Sequence, residues 1–163
     1  MTSRASDLPR NWSSVARVIR ATPHALYECF IDPEILLSWL PPAEMTGRIH
    51  EFDARAGGGY RMSLYYPSTE LHFRGKTAER EDQVSVRFLE LSPPGRIVES
   101  VNFVSEDPDL AGEMGLTITL ERAASGTEVT MLFTSLPPGL RAEDNDAGAR
   151  LSLAQLARRF EGA

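Results

Sequence analysis

One cysteine, Cys29, and one lysine, Lys76, stand among 163 residues. A lone thiol cannot close an intrachain disulfide, and it excludes a zinc site built from several thiolates. No apolar run approaches the roughly 20 residues that a membrane-crossing helix needs. The opening segment, MTSRASDLPRNW, has no apolar stretch of the kind a secretory signal carries. A reduced, cytoplasmic compartment is therefore expected. Positive charge is scarce as well. Seventeen Lys and Arg against 23 Asp and Glu give a formal net charge of −6. That balance supplies no basic stripe for a phosphate backbone, so no nucleic-acid partner is expected.

The usual motifs of catalysis are missing too. His24, His50 and His72 show no H-x-H or H-E-x-x-H spacing, so no metal site is expected. AGGGY, residues 56–60, lacks the Lys and the following helix of a phosphate cradle and reads as a tight hairpin. No Ser has the flanking glycines of a nucleophile elbow. Cys29 has no matched His and falls on the apolar face of a helix, where a thiol is inert packing. Nothing calls for a cofactor.

What is present is a globular composition, 42% hydrophobic and 25% charged, with clear periodicity. SSVARVIR reads as a strand. TPHALYECF opens with a capping Thr22 and Pro23 at the first helical position, and Leu26, Cys29 and Phe30 recur at helical spacing. IDPEILLSWL repeats the signal with Asp32 and Pro33, and stops at Pro41 and Pro42. From Met45 the period becomes two, through MTGRIHEF, YRMSLYY, ELHFRGKTAE, VSVRFLEL, RIVESVNFV, MGLTITLER and TEVTMLF. Glycines 57–59, SPPG and AASG supply turns. After SLPPGL the helical period returns: Ala149, Leu153, Leu156 and Phe160 form one stripe, with Glu143, Asp144 and Asp146 near the first turn.

The order is strand, two short helices, a series of hairpin strands and one long helix. An antiparallel sheet of this extent must bury one face, and only the terminal helix is long enough to cover it. The expected fold is thus α+β, with a curved antiparallel sheet wrapped around the terminal helix. Residues 1–12 read as a flexible tail and 13–163 as a single domain.

Five segments in this order resemble the START-like SRPBCC superfamily, in its branch similar to the activator of Hsp90 ATPase. They are RVIRATPHALYECFIDPEILLSWLPP, AGGGYRMSL, LSPPGRIVESVNF, SGTEVTMLF and EDNDAGARLSLAQLARRFE, and the resemblance covers roughly residues 13–161. The resemblance implies a helix-grip fold with a cavity between helix and sheet that accepts apolar molecules. It also implies that some relatives are cyclases or hydrolases and that a few act on a chaperone. One departure stands out. The branch commonly has Trp after the glycine of the last helix, and here Ala149 follows Gly148. Either the small residue enlarges the cavity, or a neighbour such as Phe133 or Trp39 fills the space.

The expected cavity lining is Trp39, Phe52, Tyr60, Met62, Tyr66 and Phe73, with Phe103, Met114 and Phe133 from the later strands. Asn145, Ala149 and Leu153 join it from the last helix. Glu99 is the one candidate acid. By strict alternation it shares the inward face of its strand with Ile97, Val101 and Phe103. There it would orient a polar group of a ligand or act as general acid or base, its pKa raised by burial. The alternative is that an arginine such as Arg61 pairs with it, or that a bulge turns it outward. The expected partner is a small apolar molecule. A chaperone partner would need an exposed apolar patch, and none stands out in the loops. A homodimer is common for small domains with exposed strand edges.

Overall fold

β1 (Ser13–Ile19) runs into two helices that start alike. In the computed structural model, which describes residues 11–67 and 81–161, Thr22 Oγ1 accepts from the Ala25 N–H at 3.1 Å and opens α1 (Pro23–Ile31). Asp32 Oδ1 accepts from the N–H groups of Glu34 and Ile35 at 3.0 and 3.3 Å and opens α2 (Pro33–Trp39). Each cap satisfies donors that a first helical turn leaves bare, and each proline occupies a position needing no N–H.

The other strands among the described residues are β2 (Thr46–Asp53), β3 (Gly59–Tyr65), β4 (Glu81–Ser92), β5 (Arg96–Phe103), β6 (Met114–Ala123) and β7 (Gly126–Thr134). They form one antiparallel sheet with β1, in the order β1-β7-β6-β5-β4-β3-β2. From β2 to β7 each strand pairs with its successor in sequence, whereas β1 pairs with β7. β1 and β2 therefore lie at opposite edges, and α1 and α2 make the crossing between them. The segment ELHFRGKTAE, expected as a further strand, lies outside the described residues, Phe73 included.

α3 (Ala142–Glu161) covers the inward face of the sheet. Its stripe is the expected one: Ala149, Leu153 and Leu156 are buried and Phe160 is half-buried. Complete burial of Leu153 and Leu156 contributes roughly 1.5–3 kcal/mol each. Polar contacts fix the helix at both flanks. On the β1 side the Ser13 hydroxyl donates to the Asp146 carboxylate and accepts from Asn145 Nδ2 at 3.0 Å. On the α2 side Ser152 Oγ donates to the Leu40 carbonyl at 2.6 Å. The result is a helix-grip fold, a curved sheet closed by one long helix.

Candidate functional site

Between α3 and the sheet lies a cavity of about 250 Å³. Its walls follow from the period-two pattern. Alternate residues of β3 (Tyr60, Met62, Leu64) and of β5 (Glu99, Val101, Phe103) point into it. β6 and β7 add Met114, Leu116, Met131 and Phe133. Across from them α3 contributes Gly148, Ala149 and Ser152, and Leu40 and Pro42 close the rim after α2.

Of the residues expected there, Tyr60, Met62, Glu99, Phe103, Met114, Phe133, Asn145 and Ala149 line this cavity. Asn145 does so while its amide holds Ser13. Four others lie elsewhere. Trp39 stands edge-on to Phe30, with centroids 4.9 Å apart, and donates Nε1–H to the Cys29 carbonyl at 3.1 Å. An indole N–H needs a buried acceptor, and α1 supplies it, so Trp39 locks α1 to α2. Phe52 stacks behind Tyr60 at 5.1 Å, and its neighbourhood is an open groove beside Gly58 and Arg61. Tyr66 falls one residue past β3 and donates its hydroxyl to Asp82 at 2.6 Å. Leu153 is packed into the core, 1% exposed, rather than facing the hollow.

Ala149 opens onto the cavity, and Trp39 does not move in to fill it. Phe133 stands in the wall and leaves the hollow present.

Glu99 behaves as neither sequence alternative requires. Arg61 points outward and pairs with Glu51, Nη2 to Oε2 at 2.9 Å. The nearest bulge lies on β4, between Phe88 and Glu90, and leaves Glu99 opposite Phe88 in register. The carboxyl is thus 3% exposed and faces inward. Burial pushes its pKa up to about 8, so it carries its proton at neutral pH. Tyr60 is raised well above its ordinary value, first by burial and then by the Glu99 charge.

Some lining residues had little signal in the sequence. Asp82, 3% exposed, shares the inward phase of Val84 and Val86 on β4, but a charged residue at a strand start reads as solvated. Ser152, three residues past Ala149 on α3, and Leu140, just before that helix, line the cavity as well. Among the described residues no three His, Cys, Asp or Glu side chains form a group that could hold a metal ion. No helix there is long and apolar enough to cross a membrane.

Comparison with known proteins agrees with this architecture. The family model of activator of Hsp90 ATPase homolog 1-like protein matches residues 20–161. The chain is similar to protein CV1439 from Chromobacterium violaceum, with 31% identity and a TM-score of 0.79, over 94% of this chain and 99% of that one. A protein from Rhodobacter sphaeroides is similar at 21% identity and a TM-score of 0.72, over 93% and 92% of the two chains. DynU16, from the dynemicin biosynthetic locus, has a TM-score of 0.68 at 20% identity, over 94% of this chain and 48% of its own. At such identities the last two likenesses speak for the fold alone. A search of curated proteins finds no match.

Proposed function

This chain belongs to the activator of Hsp90 ATPase homolog 1-like family, and from that premise we propose that it binds a small hydrophobic ligand between α3 and the sheet. Members of the family commonly bind such ligands. The observation that carries the reading is the hollow itself, about 250 Å³ and walled mostly by apolar side chains. An apolar occupant displaces water from these walls, which is favourable by roughly 25 cal/mol per Å² of apolar surface covered. A few fixed polar groups in an apolar chamber are the ordinary make-up of a small-molecule site.

Native mass spectrometry of freshly purified protein, followed by solvent extraction, tests the reading. A reproducible apolar adduct, lost in Ala149→Trp, supports it. A bare protein mass together with no thermal shift across a panel of lipophilic compounds sinks it.

A further inference from the structure

The wall of the cavity is apolar except at a few points, and two of these have no hydrogen-bond partner among the described residues. They are the Glu99 carboxyl and the Tyr60 hydroxyl, on residues 3% and 7% exposed. No sealed polar side-chain atom lacks a partner among those residues, so both groups open into the hollow. Both are held by their neighbours. Glu99 stands in register between Phe88 on β4 and Leu116 on β6. Tyr60 stacks on Phe52 at 5.1 Å and leans on Phe88 at 5.8 Å.

The charged and titratable groups facing Glu99 across the cavity are few. β3 brings Tyr60, β4 brings Asp82, and α3 brings Asp144, whereas β6 and β7 bring only apolar side chains. Asp82 is engaged by Tyr66, and Asp144 is exposed at the helix start. No Lys, Arg or His is among the described lining residues. An anionic ligand head would meet carboxyls and no counter-charge, which is costly in a desolvated site. Fatty-acid and phosphate heads are thereby disfavoured.

We propose that the ligand is an uncharged, ring-sized apolar molecule bearing a carbonyl oxygen, which Glu99 and Tyr60 hold as hydrogen-bond donors. This rests on the ligand-binding reading above and adds the chemical class. With their protons in place, both groups are donors, and an unpaired buried donor is costly. A carbonyl supplies the missing acceptor without introducing a charge. As to size, a hollow of about 150 Å³ takes benzene, so one of about 250 Å³ suits roughly two fused rings.

Three naphthalenes of one shape decide the matter: the 2-acetyl ketone, the 2-ethyl hydrocarbon and the 2-aminomethyl cation. Their affinities for the full chain are measured by calorimetry at about pH 6 and about pH 9. The ketone is expected to bind roughly tenfold tighter than the hydrocarbon at the lower pH. That advantage shrinks at the higher pH, where Glu99 has lost its proton. Glu99→Gln keeps a donor, so it retains the preference and loses the pH dependence. Glu99→Met combined with Tyr60→Phe binds the hydrocarbon and no longer prefers the ketone. At about pH 6, equal binding of ketone and hydrocarbon by the unaltered protein overturns the proposal, as does tightest binding of the cation. Failure of all three to bind the folded protein also overturns this proposal, whereas the ligand-binding reading falls only if the native mass is bare and the lipophilic panel gives no thermal shift.

Discussion

Gln155 uses both hydrogens of its side-chain amide on the end of α2, donating to the Trp39 carbonyl at 2.6 Å and to the Pro41 carbonyl at 2.8 Å. Ser152 takes the carbonyl between them, that of Leu40. Three consecutive carbonyls that a helix end would leave without donors are thus satisfied from α3. The contact also sets Leu40 and Pro42 at the rim of the cavity, so the clamp and the site share one piece of backbone.

Gln155→Leu leaves two of those carbonyls unpaired. A loss of about 2 kcal/mol is expected from the cost of orphaned acceptors, which is a fall of roughly 4–8 °C in Tm for a chain of this size. Ser152→Ala should cost about half as much. Calorimetric melts check both, and an unchanged melt for Gln155→Leu would show that the clamp contributes nothing.

Ala149→Trp puts an indole where the hollow now lies. It should raise the melting temperature, because a void is replaced by packed atoms, and it should abolish binding of any apolar ligand. Thermal melts with and without a lipophilic probe measure the two effects together. A marked loss of stability would mean that the walls cannot accept the ring.

Glu99 makes stability depend on pH in a definite direction. Its folded pKa, about 8, lies above the ordinary value of 4.5. The folded state therefore binds the proton more tightly than the unfolded one. Its stabilising share is fully present below about pH 4.5 and is lost as pH rises through about 8. Urea melts of the wild-type chain and of Glu99→Gln should diverge by roughly 4 kcal/mol between the ends of that window. The wild type should be the one that weakens at high pH. Parallel curves would place the carboxyl in water.

Gly59→Ala should be among the costliest single changes. A Cβ there would lie 2.0 Å from the Val86 carbonyl oxygen, inside the β3–β4 pairing. Backbone must move to admit it, so a loss above about 3 kcal/mol is expected by denaturant unfolding. Gly57→Ala meets no neighbouring atom, and only its φ of +90° opposes it. That loss should be about 1 kcal/mol.

Much of the frame is legible in local pattern. Thr22-Pro23 and Asp32-Pro33 announce two helix starts, because capping chemistry acts within a single turn. Alternation along RIVESVNF places Ile97, Glu99 and Val101 on one face whatever lies across from them. The four-three-four spacing from Ala149 to Phe160 marks the face of α3 in the same way. Local spacing also explains the misplacements. Trp39 and Phe52 are large and apolar, and nothing short-range says whether such a ring meets a hollow or another ring.

The amino-acid sequence by itself determined most of the described elements, the inward phase of β3, β5, β6 and β7, and the presence of an acid on the buried side of β5. Those depend on backbone periods and on contacts between residues a few positions apart. Only the tertiary structure decided that Arg61 turns to Glu51, that Trp39 joins Phe30, and that no described residue fills the space left by Ala149. Each of those outcomes depends on which distant side chains come within a few ångströms. Sheet register and the docking of α3 set that, and they settle together only when the whole core packs.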